Sequence, residues 1–583
     1  MFPALIHRWK LRGEVDPVVA ATLSEELRIS LLAASLMLQR GVADAASARR
    51  FLDSRLADMP DPFTMVDMDF AVQRLCRAVQ QGEPIAVHGD YDVDGITASA
   101  LLVENLRAFG AQAEYYIPLR LVDGYGLSGE ALQRAAARGA RVAVSVDCGV
   151  SAVAEALLAR ELGLDLIITD HHQPPEQLPE AFAVLNPHRP GCGFAEKDLA
   201  GVGVAFMLLV ALRSKLRELG WFNDRPEPDL RHSLDLVALG TIADIAPLRG
   251  LNRVLVKSGL AVLNQGRRPG IAALKQVADV VEVTSGSVGF RLAPRLNAAG
   301  RLQDAAQGVA LLLEPSFQAS LSSARCLDEC NRERQAIEQQ TLDQALAQLA
   351  EGMDAERYSI VLANANWHPG VIGIVASRLV ERFHRPTVLI ALDNGTGKGS
   401  ARSIGGFHLY HALQACRNWL KGFGGHEFAA GLSIEEALVE DFSGAFERVA
   451  REQLSKDDLN PRHLFDEEVL LEDLNLDTVA ELEKLSPFGA GNPQPLLLAR
   501  NLQAEKPEVL KDKHLRFHGV QGGTRLACIA FGMAHRLEEL AGDFDLLFTP
   551  SINEWRNRRT VQLKVKDLRR VPVAETEATD DRV

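Results

Sequence analysis

Nothing in this 583-residue sequence is arranged for disulfides. Its seven cysteines, at 76, 148, 192, 326, 330, 416 and 528, are odd in number and form no Cys-x-x-Cys pair. That argues against a disulfide framework and a cysteine-based zinc site, and for a reducing cytoplasm. Positive charge is scarce too. Lys and Arg number 63 against 77 Asp and Glu, a net charge of −14, so the chain is not built to coat a polyanion non-specifically and must grip any such ligand locally. No apolar run approaches the roughly 20 residues that cross a bilayer. The longest, Val202 to Leu212, stops at Arg213 and reads as a buried helix, and the opening Met1-Phe-Pro-Ala-Leu-Ile is broken too early for a signal peptide. What remains, 47% hydrophobic and 24% charged, is the composition of a soluble globular protein, and the length asks for two to four domains.

What the sequence does have is a crowd of ionisable groups. His88-Gly-Asp-Tyr-Asp-Val-Asp-Gly95 follows the apolar Ile85-Ala-Val87 and precedes the helical pattern from Ile96 to Phe109. The acidic run therefore lies on a turn between strand and helix, which in a parallel α/β sheet opens at the carboxyl ends of the strands, where ligands bind. Asp90, Asp92 and Asp94 repel one another if all ionise in a cleft, and a divalent cation removes the conflict. A calcium loop of the EF-hand type fails, because its twelfth position counted from Asp90 is Leu101 where a bidentate Glu is required.

Strand and helix patterns alternate from Pro84 onward, with strands at Ile85–Val87, Ala113–Ile117, Arg141–Val146 and Leu164–Thr169. The rhythm predicts a parallel sheet covered by helices on both faces. Two more of these strands end in ligand chemistry, at Asp147-Cys-Gly149 and at Asp170-His171-His172. A single strand-end Asp is often a helix cap and a single His is often structural; three strand ends of one sheet bearing such groups are a much less probable coincidence. Later, Gly240-Thr-Ile-Ala-Asp244 sets another carboxylate in an apolar segment, where it needs a partner.

These four motifs, His-x-x-x-Asp-x-Asp, strand-Asp-x-Gly, Asp-His-His and Gly-x-x-Ala-Asp, occur in the order found in the DHH phosphoesterase superfamily, which the sequence resembles. The resemblance implies that His88, Asp92, Asp94, Asp147, His171 and Asp244 hold two metal ions, with Asp147 as the bridge. It places His172 near the scissile phosphate, and Asp90 and Asp170 behind the ligands, orienting them. Oxygen donors mixed with imidazole suit Mn²⁺, with Mg²⁺ as the alternative. Two such ions together polarise a phosphodiester and activate water, so hydrolysis without a covalent intermediate is expected.

Further along, Arg120 follows the second strand, and Gly289-Phe-Arg-Leu-Ala-Pro-Arg-Leu-Asn-Ala-Ala-Gly-Arg301 gathers three arginines and Asn297 among small residues, a composition suited to phosphate. Arg120, Arg295, Asn297 and Arg301 are candidate substrate contacts. Between Pro315 and Gly352 there is neither proline nor glycine, and a long connecting helix is expected there. A second α/β pattern follows, with strands at Tyr358–Ala363 and Pro386–Ala391 around a helix at Val371–Phe383. Gly395-Thr-Gly-Lys-Gly-Ser-Ala-Arg402 lacks the spacing of a P-loop. Together with Gly424-Gly-His-Glu-Phe-Ala-Ala-Gly431 it resembles the DHHA1 domain, which implies substrate contacts at Ser400, Arg402, Gly425 and His426.

From about 460 the character changes to short strands. Seven basic residues and one acid between Trp555 and Arg570 give a local charge of +6 on an acidic chain. A small OB-type barrel with a basic face would hold a single strand through Arg556, Lys564 and Lys566, with Trp555 or Phe517 stacking on bases. The expected architecture is α/β: residues 1–60 a helical cap carrying two short helices, such as Ser24–Leu32 and Ala43–Leu52, and covering the domain that follows; 61–313 the parallel-sheet DHH domain; 314–352 the connecting helix; 353–457 a smaller DHHA1 domain; 458–571 the barrel; and 572–583 a flexible tail.

The resemblance extends over most of the chain and implies a single-strand-specific 5′→3′ DNA exonuclease of repair and recombination. It also implies a single-strand-binding protein and a RecQ-like helicase as partners. The competing readings are a manganese pyrophosphatase or a hydrolase of short oligonucleotides or cyclic dinucleotides, and, in another class, a non-catalytic single-strand-binding protein.

Overall fold

The computed structural model describes residues 7–119, 124, 126–352 and 356–571. Arg120 and the tail expected at 572–583 lie outside them. The chain divides into two compact units, one containing residues 56–461 and the other residues 9–55 with the chain from 462 onward.

The first unit opens with a five-stranded parallel sheet of β1 (Ile85–Gly89), β2 (Ala113–Tyr116), β3 (Val142–Val146), β4 (Asp165–Thr169) and β5 (Ala183–Leu185), in the order β2-β1-β3-β4-β5. Val87, Val144, Val146 and Ile167 are fully buried, as strands covered on both faces require. The chain passes from β1 outward to β2 and then crosses to β3, so the topological switch lies between β1 and β3. Gly89 pairs with Val146 and Val146 with Thr169, which brings the next residues of the three strands, Asp90, Asp147 and Asp170, to one end of the sheet. The sequence reading missed β5, whose three apolar residues are too short a run to signal a strand.

The helix after β1 begins at Val93, three residues before the apolar pattern suggested, because Asp92 caps it: its Oδ1 accepts from Gly95 N at 3.1 Å. Two almost wholly apolar helices, Gly201–Glu218 and Leu234–Ala243, pack against this helix and complete the core. No helix among the described residues is long and apolar enough to cross a membrane.

The expected connecting helix spans Phe317–Gly352. Its charged side chains reach both ways: Asp328 accepts from Arg295 Nε at 2.8 Å, and Glu338 accepts from Arg378 Nε at 2.9 Å. The second sheet contains β6 (Ile360–Asn364), β7 (Thr387–Asp393), β8 (Thr396–Arg402), β9 (Gly422–Gly425) and β10 (Ala429–Glu435), ordered β9-β10-β8-β7-β6. Both glycine-rich stretches therefore contain strands, which their lack of β-formers had hidden.

In the other unit, β11 (Leu497–Leu510), β12 (His514–Gln521), β13 (Thr524–Ala530), β14 (Phe544–Trp555) and β15 (Arg558–Arg570) pair in the order β11-β12-β13-β15-β14, and β14 closes on β11 to give a five-stranded barrel. Val561, Leu563 and Val565 point inward while Lys564 and Lys566 are exposed, the alternation expected of β15. Phe517 corrects the sequence reading. It is 1% exposed, edge-on to Phe544 in the barrel core, and cannot stack on a base. Phe517→Ala is expected to cost about 3–5 kcal/mol of stability, measured by denaturant unfolding of the intact chain.

The amino-terminal helices also differ from expectation. Leu23, Leu36 and Met37 share one core with Leu482, Phe544 and Phe548, so residues 9–55 belong to the barrel unit and not to the unit that holds the DHH sheet. There are three helices instead of two, because the Ser24–Leu32 pattern breaks where Arg28 turns left-handed (φ 56) and Ser30 caps a new helix at Leu31.

Candidate metal centre

Five carboxylates and two imidazoles converge where the parallel strands end. Donor atoms of Asp90, Asp92 and Asp147 lie within 4.8 Å of one another, as do those of Asp147, His171 and His172, and of Asp94, His171 and Asp244. His171 Nε2 is 3.1 Å from Asp147 Oδ1, 3.9 Å from Asp244 Oδ2 and 4.0 Å from Asp94 Oδ2. Asp147 Oδ1 and His171 Nε2 are buried and make no hydrogen bond. Two acceptors held face to face in the interior require a cation.

The surrounding backbone is shaped for this cluster. Helix Gly201–Glu218 points its amino terminus at Asp94, which accepts from Gly201 N at 2.6 Å and Val202 N at 2.9 Å. A Cβ on Gly201 would lie 2.7 Å from Asp147 Oδ1, and one on Gly240 would lie 2.9 Å from Asp94 Oδ1. The glycines of the 201–218 helix and of the Gly-x-x-Ala-Asp motif are thus the room the carboxylates occupy. Gly201→Ala is expected to weaken metal affinity about 10–100-fold, read by titrating Mn²⁺ against intrinsic fluorescence, with little change in circular dichroism.

Charge crowding has the expected signature. Burial and then neighbouring carboxylates push Asp94 and Asp147 well above the ordinary carboxyl range. Burial and Asp92, partly offset by His172, raise Asp244 to about 7. Burial and the adjacent His172 lower His171 to about 4, leaving it neutral and able to donate its lone pair. Burial opposes ionisation of His172, but Asp170 overrides it: Nδ1 sits 2.7 Å from Asp170 Oδ1, and with Asp244 and Asp92 this raises His172 to about 9. Asp170 also accepts from Val150 N at 2.9 Å, so it stands behind the cluster and fixes the Asp-His-His turn.

His88 and Asp90 lie two residues apart, on either side of the strand end. His88 lies within β1, where strand alternation puts it on the face of Ala86; its ring packs on Tyr116 with centroids 5.1 Å apart, and Nε2 meets Gly126 O at 3.1 Å. It is in none of the converging groups, whereas Asp90, the first residue beyond the strand, is. Arg295 is held by Asp328 and by Arg291 O and does not present a free fork. Asn297 Oδ1 accepts from Val93 N at 3.2 Å, bracing the turn of the acidic motif, and Arg301 Nη1 donates to Gly370 O at 3.0 Å.

In the second sheet, Arg402 faces Ala429 and Ser400 faces Gly431 across β8 and β10, while Gly425 pairs with Ala430 in β9. Arg402 Nη1 lies 3.2 Å from Ser400 Oγ, and a Cβ on Gly373 would be 2.8 Å from that hydroxyl. Ser400 and Arg402 therefore sit against the amino terminus of helix Ile372–Phe383, a setting that favours anions. His426 is exposed at the β9–β10 turn. Sequence reasoning overlooked Gly201, although Gly201-Val-Gly opening the longest apolar run was the available signal.

An acidic centre at the switch point of a parallel sheet, followed by a second α/β domain with a Gly-Gly-His turn, defines a phosphoesterase of the DHH/DHHA1 class. Residues 84–241 match the DHH family amino-terminal domain, 357–452 the DHHA1 domain and 465–567 the RecJ OB domain. The chain belongs to the RecJ family. It is 40% identical over 570 residues to the single-stranded-DNA-specific exonuclease RecJ of Bacillus subtilis, spanning 96% of this chain and 70% of that protein. The Escherichia coli RecJ is 39% identical, spanning 96% of this chain and 98% of the relative. The crystal structure of Thermus thermophilus RecJ in complex with Mn²⁺ superposes with a TM-score of 0.83 at 32% identity, covering 97% of this chain and 80% of that one.

Proposed function

We propose that this protein is a divalent-metal-dependent exonuclease that degrades single-stranded DNA from the 5′ end, in repair and recombination. The observation that carries the reading is the buried meeting of Asp147 Oδ1 and His171 Nε2, without hydrogen bonds, among Asp90, Asp92, Asp94 and Asp244. The donor set of carboxylates with one imidazole suits Mn²⁺ or Mg²⁺, the ions named for the Thermus thermophilus RecJ structures. When bound, two such ions supply charge to the phosphodiester and acidify water.

The chain's own residues do the positioning. Asp90, Asp92, Asp94, Asp147, His171 and Asp244 hold the ions, and Asp170 fixes the direction of His172. His172, kept protonated near neutrality, offers a proton and positive charge to the phosphate oxygens. Ser400 and Arg402 hold the terminal phosphate beside the helix amino terminus, with Arg301 and His426 as further contacts.

Trp555, 69% exposed with Arg556 over its ring, and Lys564 and Lys566 grip the strand away from the centre. A compact pyrophosphatase would have no use for that barrel. Trp555→Ala is expected to weaken single-strand binding by about 1–3 kcal/mol with an unchanged melting temperature, read by fluorescence anisotropy. The seven unpaired cysteines suit a reducing cytoplasm, and partnership with a single-strand-binding protein and a RecQ-like helicase follows from the family resemblance.

The test is one oligonucleotide labelled separately at each end and incubated with Mn²⁺, Mg²⁺ or chelator, beside its duplex and RNA versions. Label at the 5′ end should appear at once as mononucleotide while 3′ label shortens stepwise, only with metal and only on the DNA single strand. Cleavage in chelator, or equal attack on duplex, would overturn the reading.

A further inference from the structure

The barrel unit carries a groove that a DNA-degrading activity does not use. It has a volume of 830 Å³, within the range of ligand sites, and lies between helices Pro17–Leu27 and Leu31–Gln39 and the segment from Glu467 to Thr478. Its walls combine two kinds of surface. Leu11, Val15, Leu31, Leu32 and Val469 line it, and Leu31 stands 53% exposed. Apolar side chains open to solvent along a groove mark an interaction surface. The charged residues of the lining are Glu14, Glu467, Glu468, Glu472 and Asp473, and no basic side chain lines it.

Only Glu468 is neutralised, by Arg500 at 2.9 Å; among the described residues no ion pair engages the other four. Burial, with the charges of Asp466 and Glu468, holds the Glu467 carboxyl above its ordinary range, as an anion lacking a counter-charge behaves.

We propose that this groove is a docking site for a basic, leucine- or valine-rich segment of a partner protein. Charge decides the class of occupant. Four unneutralised carboxylates repel a phosphate backbone, so the groove is not part of the path of the strand. Residues 572–583 carry four acids against one arginine and are equally unsuited. A segment with Lys or Arg on one side and aliphatic side chains on the other satisfies both surfaces: the aliphatic groups cover Leu31 and Val469, and the cations meet the carboxylates of the lining. The groove shares no residue with the metal centre, so docking would tether the nuclease to a partner without altering cleavage.

The experiment uses the full chain and a fluorescein-labelled amphipathic Lys/Leu peptide, read by fluorescence anisotropy. Controls are the same peptide with Glu for Lys, and with Ser for Leu. The Lys/Leu peptide should bind and both controls should not. Glu14→Lys with Glu472→Lys, and separately Leu31→Ser, should each weaken binding roughly tenfold or more, with single-strand cleavage unchanged. Matched reversals at Glu161 and Glu381, exposed acids elsewhere, should leave binding intact. Equal binding of the Ser control, or insensitivity to the groove variants, would reduce the effect to general charge attraction and overturn the proposal. Light scattering that shows a dimer broken by the groove variants would assign the surface to a second copy of this chain and overturn it too.

Discussion

Asp147→Asn is expected to lower single-strand cleavage about a thousandfold or more while leaving strand binding measurable. Asp147 is shared by two of the converging donor groups, one with Asp90 and Asp92 and one with His171 and His172. The backbone commits it to that position. It sits in the left-handed region at φ 60, which Asp tolerates better than most residues, immediately after β3. Asparagine keeps the shape but removes the charge and turns one oxygen into an NH₂ donor aimed at neighbouring acceptors. The same change relieves repulsion from Asp94, Asp92, Asp90 and Asp244, so the metal-free variant should melt at or above the metal-free parent. The two readouts separate chemistry from folding. Cleavage within tenfold of the parent would refute the central role of Asp147, and a lost activity accompanied by a clearly lower metal-free melting temperature would reduce it to a structural one.

Chelation is expected to lower the melting temperature by several degrees at pH 8 and by much less at pH 6. The folded-state carboxyls of Asp94 and Asp147 are raised by burial and by their neighbours, and that of Asp244 to about 7. A raised carboxyl contributes stability that is complete below the ordinary carboxyl range and is lost as pH climbs through the folded value. For Asp244 that loss runs from the ordinary carboxyl range up to about 7, so the metal-free protein weakens as pH climbs to neutrality. With Mn²⁺ bound, the carboxylates are neutralised by the cation and the loss disappears. At a metal concentration a hundred times Kd the stabilisation is about 2.7 kcal/mol. Thermal melts at pH 6, 7 and 8, each with EDTA and with excess Mn²⁺, measure the difference directly. A gap between the two curves that does not widen with pH would contradict the crowded-carboxylate account.

The Trp555→Ala and Phe517→Ala pair shows how legibility divides along one strand face and the next. Both aromatics lie in short strand patterns of the same domain, and sequence gave no ground for ranking them. The barrel's closure put Phe517 inside against Phe544 and left Trp555 at the end of β14. The first should report on stability and the second on binding.

The site itself was legible where chemistry and punctuation coincide. A carboxylate right after an apolar strand is visible in any order of reading, and the parallel register then had to bring Asp90, Asp147 and Asp170 together. Proximity in sequence does not specify a face: His88 lies inside the strand with its ring against Tyr116, and Asp90 is the first residue beyond it. Arg295 looked like a phosphate ligand until the helix from Phe317 supplied Asp328 as its partner.

By itself, then, the sequence determined the alternation of the first four parallel strands with helices, the kinds of donor available and the strand ends that carry them, because periodicity, caps and turn residues act over a few positions. The tertiary structure alone decided that residues 9–55 join the barrel unit, that Gly201 and Gly240 leave room for the carboxylates, and that Asp90 meets Asp92 and Asp147. Those outcomes depend on contacts between segments tens to hundreds of residues apart, where packing selects one arrangement among many that local propensities would allow equally.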